Sequence, residues 1–293
     1  MNEILLYRGC TTPVRLPAYE AATIAVLEKL GVKVRDMKDV TCCGAQYVES
    51  ISQTAFAAMS GRILAVAEKE GLDILAICGA CSGSLKINKH LLDHNEEARG
   101  QVNDILAEEG LKYTGKVRVR HLLQVLAEDI GFSEIERAIV KPYNGIKIAA
   151  HYGCHVTRPF EIVQVDDPEN PTIIDQLAEI AGAKSVDYAG KTRCCGGPML
   201  AMDEKIATKI GQEKIKNVEV AGADVILTAC EFCDLQLTQV QFDEAMSSTR
   251  RIPVMPITQF LGPALGIDED RLGLGLNRID PSPVLDALQG GSA

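Results

Sequence analysis

Short runs of apolar residues alternate with longer amphipathic segments along most of the chain. The four clearest apolar runs predict buried β-strands and cover residues 4–7, 72–77, 146–150 and 225–228. Weaker strand candidates cover 32–34, 117–119 and 186–188. Helical patterns fill the intervals at 17–30, 50–70, 95–109, 172–180 and 204–220. Because strands alternate with helices, the pattern predicts an α/β fold with mostly parallel sheets.

The pattern contains an internal repeat. The stretch EILLYRGC resembles IKIAAHYGC, and GLDILAICGAC resembles GADVILTACEFC. Residues 119–131 can be laid on 254–266, where Val, Gln, Leu and Gly coincide. A repeat of this length predicts two related domains, at 1–143 and 144–267, followed by a tail over 268–293. We expect two pseudo-twofold-related halves, each a small, mostly parallel sheet with helices.

Cysteines follow the repeat without exception. Each half has a single Cys, a CCG triplet and a CxxC pair, and 34 residues separate the CC pair from CxxC in both halves. The first set is Cys10, Cys42, Cys43, Cys78 and Cys81, and the second is Cys154, Cys194, Cys195, Cys230 and Cys233. Four of them stand just past a predicted strand. Ligands bind at the carboxyl ends of parallel strands, so we expect cysteine-bearing loops to gather there.

Composition excludes several classes of function. The 293 residues are 46% hydrophobic, which suffices for a proper core. A net charge of -10 argues against a nucleic-acid binder, which needs a basic face. No apolar run approaches the roughly 18 residues that span a bilayer. The N-terminus lacks the basic region of a signal peptide, so we expect a cytoplasmic protein.

Ten cysteines in a reducing compartment indicate metal ligands or reactive thiols. A structural zinc site needs only four ligands, and a lone CxxC can be a thioredoxin-like redox pair. Scattered structural cysteines would not keep such regular spacing. Five thiols with an adjacent pair suit a larger iron–sulfur cluster, because neighbouring cysteines can reach different irons. The spacing therefore favours iron–sulfur over zinc.

The two copies of C-x31–39-CC-x34-CxxC, each with Gly directly after CC, are similar to the CCG motif, and the chain resembles the B subunits of heterodisulfide reductase from methanogenic archaea. The resemblance implies one noncubane [4Fe-4S] cluster per five-cysteine set. It also implies an oxidoreductase that reduces the CoM-S-S-CoB disulfide to coenzyme M and coenzyme B thiols in methanogenesis. In that family the catalytic B subunit works with a flavin-carrying A subunit and a ferredoxin-like C subunit. A hydrogenase or formate dehydrogenase completes the electron-bifurcating complex.

Three other interpretations stay open. The motif also occurs in iron–sulfur subunits of thiol:fumarate reductase and of lactate and glycerol-3-phosphate oxidation. The chain could instead be a pure electron relay, or a zinc-stabilised scaffold. It lacks ferredoxin-type C-x2-C-x2-C-x3-CP runs, which favours a stand-alone B subunit.

Disulfide reduction requires two electrons and two protons. We expect the disulfide to lie between the clusters, with one electron from each. His155 follows Cys154 directly and is the candidate proton donor, although a hydrogen bond to cluster sulfur is the competing role. The substrate is anionic, and the basic residues near the cysteines are candidates to bind it, although each could be a solvated loop residue: Arg8, Arg158, Lys191 and Arg193.

Overall fold

Eight strands in the described part of the chain form two separate parallel sheets. The structure is a computed structural model that describes residues 2–243, 246 and 250–288. The first sheet has the order β2-β1-β3-β4 and the second has the order β6-β5-β7-β8. The strands are β1 Glu3–Tyr7, β2 Lys33–Asp36, β3 Ile74–Ala76, β4 Val119–His121, β5 Lys147–His151, β6 Lys184–Ser185, β7 Val225–Thr228 and β8 Val254–Pro256. The identical order confirms the predicted α/β fold with two repeated halves.

Sixteen α-helices surround the sheets in the described residues. Those of the first half are α1 Thr12–Arg15, α2 Pro17–Lys29, α3 Ala45–Glu49, α4 Gln53–Glu70, α5 Gly79–His94, α6 Glu96–Leu106, α7 Leu122–Gln124 and α8 Phe132–Ala138. Those that follow are α9 Cys154–Thr157, α10 Phe160–Val163, α11 Ile173–Ile180, α12 Glu204–Val220, α13 Glu231–Gln239, α14 Ile257–Ala264, α15 Glu269–Leu272 and α16 Ser282–Leu285. Short 3₁₀ turns and a π-helical segment, Val125–Gly131, complete the connections. No described helix is long and apolar enough to cross a membrane.

The predicted helices match the observed ones within a few residues, and α12 has the predicted ends. The weaker strand predictions are displaced: β4 lies slightly later than expected and β6 slightly earlier. Strand β8 and helices α5 and α13 were not predicted. Three residues of β8 are too short to show a period, and the cysteines, glycines and polar residues of the two helices obscure their apolar faces.

The two central strands of each sheet, β1 and β3 in the first and β5 and β7 in the second, bury both faces, as is typical of parallel sheets. Leu6 and Ile148 belong to one hydrophobic core, whereas their neighbours Leu5 and Ala149 belong to the other. Both cores therefore contain residues from both halves. Helices α2 and α14 pack together across the halves, and Tyr143 stacks on Phe260 with ring centroids 4.2 Å apart. This shared packing fixes the two sheets relative to each other.

The tail packs on the body of the protein. Helix α15 lies against α2, and Arg271 forms an ion pair of 3.4 Å with Glu28. Further along, the Asn144 amide donates to the Ala287 carbonyl over 2.8 Å. Residues 289–293 of the predicted tail lie outside the described residues.

Candidate metal centre

The two CxxC pairs lie at the amino ends of helices. Cys78 is the N-cap of α5 and Cys81 lies in its first turn, and Cys230 and Cys233 have the same places in α13. Each pair follows a buried central strand, β3 or β7. The positive end of the helix dipole stabilises thiolates at these positions.

The remaining cysteines lie on loops around the same strand ends. Cys10 follows β1 and Cys154 follows β5, and the CC pairs follow the neighbouring strands β2 and β6. The Gly44 amide approaches the Cys42 sulfur to 3.4 Å, and the Gly196 amide approaches that of Cys194 to 3.3 Å. Both glycines have positive φ, which turns these amides toward sulfur.

All ten thiols form one continuous series. The Sγ atoms of Cys10 and Cys42 lie 3.5 Å apart, as do those of Cys43 and Cys81. Neighbouring thiols interact in the order Cys10, Cys42, Cys43, Cys81, Cys78, Cys230, Cys233, Cys195, Cys194 and Cys154. The order is symmetric about its middle, where the two sets meet. The structure thus brings both predicted sets together.

Hydrogen bonds along the series give neighbouring thiols different acidities. The pKa of Cys43 falls to about 4, because hydrogen bonds with Cys42 first and Cys81 second stabilise its thiolate. The hydrogen bond between Cys78 and Cys230 raises the pKa of Cys78. The pKa of Cys230 falls, because hydrogen bonds with Cys233 first and Cys78 second stabilise its thiolate. Thiolates so close together repel one another, so full ionisation requires bound cations.

Glycines let the backbone of the cysteine loops approach the sulfur atoms closely. A Cβ atom on Gly9 would lie 3.1 Å from the Cys81 sulfur, and one on Gly153 would lie 3.2 Å from the Cys233 sulfur. Five thiols per half exceed what a tetrahedral zinc ion can bind. The donor set fits iron–sulfur clusters, which bind thiolates from several loops.

His155 and Arg158 lie beside the last thiol of the series. The His155 Nδ1 atom is 3.4 Å from the Cys154 sulfur. Arg158 donates to the carbonyls of Thr192 and Pro168 and pairs with Glu169 at 3.0 Å. The contact of His155 suits either predicted role, proton donor or sulfur hydrogen bond.

The other predicted basic residues form ion pairs. Arg8 contacts the carboxylates of Glu20 and Asp36, each at 2.9 Å. Lys191 contacts Asp175 at 2.9 Å and lies over the Tyr152 ring, and Arg193 contacts Glu213 at 3.4 Å. These three do not line either cavity that opens at a cysteine.

Two cavities open at opposite ends of the thiol series. The Cys10 cavity, of about 550 Å³, lies between Cys10, α13 and the tail. Its lining is mainly apolar, with two arginines and one carboxyl group, that of Asp234, and includes Val14, Arg15, Leu200, Leu235, Leu276 and Arg278. The Cys154 cavity, of about 530 Å³, contains His155, Arg158 and three glutamates: Glu49, Glu161 and Glu169. An apolar anion therefore fits the Cys10 cavity better.

Sequence reasoning missed buried ionisable residues near the thiols, among them Lys214 and Glu231. Lys214 of α12 is 4% exposed, and burial lowers its pKa to about 8. Glu231 begins α13 and is 2% exposed, and burial raises its pKa to about 8. A charged residue inside CEFC, between two cysteines of a buried pair, was the available signal for Glu231.

Comparisons with known proteins agree with this site. The pattern of the CCG cysteine-rich domain matches residues 4–86 and 148–238. The chain is 35% identical, over 95% of its length and 94% of the relative's, to the B subunit of the ferredoxin/F(420)H(2)-dependent CoB-CoM heterodisulfide reductase of Methanosarcina acetivorans. It is 31% identical, over 95% and 98% of the two chains, to the 8-methylmenaquinol:fumarate reductase membrane anchor subunit of Wolinella succinogenes.

A solved structure supports the fold alone. The crystal structure of a hypothetical protein from Helicobacter pylori superimposes with a TM-score of 0.75 at 16% identity. The match covers 94% of this chain and 51% of that one, so this chain spans about half of that structure.

Proposed function

The chain belongs to the CCG cysteine-rich domain family, among the heterodisulfide reductase B subunits and their relatives, and from that membership we propose that it reduces CoM-S-S-CoB to its two thiols. It would do so as the catalytic subunit, with one noncubane [4Fe-4S] cluster on each five-cysteine set. The observation that carries this proposal is the continuous series of ten thiols, in which the two sets meet at Cys78 and Cys230.

The reaction needs two electrons and two protons, because the S–S bond breaks and two S–H bonds form. Iron–sulfur clusters supply electrons one at a time, so two adjoining clusters can deliver the pair. The ten cysteines would hold two clusters side by side. The helices α5 and α13 exclude water from the middle of the series, where Cys78 and Cys230 are 1% and 5% exposed.

We place the apolar coenzyme B arm of the disulfide in the Cys10 cavity, because Cys10 is exposed there and the lining suits an apolar chain. Coenzyme B carries such a chain with anionic groups at its end, which Arg15 and Arg278 can attract. The position of the S–S bond between the two sets stays a prediction, with His155 on the Cys154 side. Arg8, Lys191 and Arg193 remain candidates for longer-range attraction.

We keep His155 as the proposed proton donor on the strength of its 3.4 Å contact with Cys154. The equivalent residue of the first half is Thr11, which cannot serve at neutral pH. Arg158 beside it is the corresponding candidate for substrate binding. A His155→Gln variant with unchanged iron content and unchanged rate at every pH would exclude this role.

A second candidate function is electron transfer to or from a different substrate. The similarity to a fumarate reductase subunit favours it. Such a chain would keep both clusters and the thiol series but would not cleave the heterodisulfide. Assays with heterodisulfide and with fumarate, both driven by a reduced viologen, separate the two functions.

The proposed assembly follows from the family. The chain would receive electrons from a ferredoxin-like C subunit and a flavin-carrying A subunit, with a hydrogenase or formate dehydrogenase, in an electron-bifurcating complex of the cytoplasm. Co-purification of the native complex from cell extract, followed by measurement of its flavin content and its protein components, tests this composition.

The decisive experiment is the content of iron, acid-labile sulfide and zinc in protein purified without oxygen. Two [4Fe-4S] clusters require about eight irons per chain and no zinc. The variants Cys43→Ala and Cys195→Ala, which change equivalent cysteines of the two halves, should each lose about four irons and the reductase activity. Full iron content and activity in either variant would contradict the ligand assignment.

A further inference from the structure

His151 is a buried histidine whose two ring nitrogens lack a normal hydrogen-bond partner among the described residues. It is the last residue of β5 and is fully buried. Neither ring nitrogen has a hydrogen-bond partner of normal geometry among the described residues, and the backbone of Lys191 offers only a weak polar contact. An unsatisfied buried polar group costs about 1–3 kcal/mol, so this position calls for a ligand.

The side chain lies against cysteines of the second set. A ring nitrogen of His151 and the Sγ atoms of Cys195 and Cys233 all lie within 4.8 Å of one another. Bonds of roughly 2.0 Å to nitrogen and 2.3 Å to sulfur, as for zinc, keep ligand atoms of one tetrahedral ion within about that distance. The three atoms can therefore share one metal ion.

The first half has no such nitrogen. Tyr7 is the last residue of β1 and, like His151, lies three residues before the single cysteine of its set. Its hydroxyl donates to the Thr41 carbonyl over 2.8 Å, so it is satisfied within the protein. The two halves thus differ at this equivalent position, where the second half has a potential ligand atom without a partner and the first half does not.

We propose that His151 binds an iron of the second cluster through a ring nitrogen, which gives that cluster a mixed thiolate and imidazole ligand set. The first cluster keeps cysteine ligands alone. A neutral imidazole adds no negative charge, whereas a thiolate in its place would, and histidine ligation raises cluster potentials in other proteins. The second cluster would therefore have a higher midpoint potential than it would with a thiolate at position 151. This inference rests on the proposed function in so far as the second half carries a cluster.

The test is electron–nuclear double resonance on the reduced full-length protein, with natural and ¹⁵N-labelled histidine. We expect a strong histidine nitrogen coupling in the wild type. It should vanish in His151→Tyr, which installs the first-half residue, and persist in His155→Gln, the other histidine near these cysteines. His151→Cys should keep about eight irons, lack the coupling and have a lower midpoint potential.

Each contrary result has a distinct meaning. Eight irons in the wild type without a histidine coupling, or a coupling that survives in His151→Tyr and His151→Cys, would overturn the role of His151 alone. A wild type with about four irons would overturn the two-cluster proposal itself. Loss of iron in His151→Tyr together with its retention in His151→Cys would support ligation, because only cysteine can replace the imidazole as a ligand.

Discussion

Gly9 approaches Cys81 so closely that a Cβ atom on Gly9 would lie 3.1 Å from the cysteine sulfur. Gly153 has the same relationship with Cys233 in the second half. The repeat therefore preserves a contact between a backbone turn and a helix-borne thiol. This contact shows that the loop after the first strand of each half is shaped around its sulfur atoms.

We expect Gly9→Ala to reduce iron binding by the first set, because its methyl group would displace Cys81 from the position that the other four thiols define. The result should be a loss of up to about four irons per chain. The matched control is Gly71→Ala, whose φ of 68° is close to the 70° of Gly9 but whose Cβ would meet nothing within 4 Å. Equal iron losses in both variants would point to backbone strain instead.

The second prediction concerns stability in acid. His121 is fully buried, and its Nε2 atom lies 3.0 Å from the Ala229 carbonyl of the other half. Burial lowers its pKa from 6.5 to about 4. The unfolded chain takes up the proton first as the pH falls, so stability declines from pH 6.5 toward pH 4 and does not change through this group above pH 6.5.

The expected contribution of His121 is roughly 3 kcal/mol over that range. His121→Asn keeps an N-cap acceptor for α7 but cannot be protonated, so its unfolding free energy should depend less on pH. His90→Asn, at an exposed position, should keep the wild-type slope. Denaturant unfolding at several pH values measures both, and an unchanged slope in His121→Asn would refute the prediction.

The third prediction concerns the buried charge of Lys214. The equivalent residue in the first half is Arg62, which is paired with Glu109 at 2.7 Å, whereas Lys214 lies over the Tyr188 ring and is attracted by the thiolates of Cys233 and others of its set. Removing this cation should destabilise the reduced state of the second cluster, which carries one more negative charge than the oxidised state. We expect Lys214→Met to lower the midpoint potential of that cluster.

Redox titration followed by electron paramagnetic resonance measures this effect. Lys216→Met, which changes an exposed lysine of the same helix, is the control and should leave both potentials unchanged. A shift confined to the first cluster would contradict the assignment of Lys214 to the second set.

The fourth prediction concerns the Cys10 cavity. Leu276 lines it and is 68% exposed, so a charged residue can be introduced there without burial in the core. Leu276→Asp should repel the anionic disulfide and remove apolar contact, raising KM about tenfold, which corresponds to about 1.4 kcal/mol. The value of kcat should change little.

Val220→Asp is the control, because Val220 is an exposed apolar residue that does not line this cavity. Steady-state kinetics with heterodisulfide and a reduced viologen give KM and kcat for both variants. An unchanged KM in Leu276→Asp would move the substrate site away from Cys10, and the Cys154 cavity would then be tested through Arg158→Gln.

The repeat, the α/β class and the two sets of five cysteines could all be predicted from the amino-acid sequence. These features are local: apolar periodicity selects strands and helices, and parallel strands place the loops that follow them at one edge. The spacing of each CCG and CxxC motif was therefore enough to identify the candidate metal-binding cysteines. The repeat also places Tyr7 and His151 at equivalent positions. The sequence does not show, however, that the Tyr7 hydroxyl has a hydrogen-bond partner and that the His151 ring lacks one.

How the two sets meet could not be predicted from local patterns. The contact of Cys78 with Cys230 joins residues far apart in the chain, and so does the packing of α2 against α14. Tertiary packing also leaves the ring nitrogens of His151 without a normal hydrogen-bond partner among the described residues, buries Lys214 and forms the Cys10 cavity against the tail. Hydrophobic patterns show which faces are buried but not which face covers them, because burial itself is non-directional.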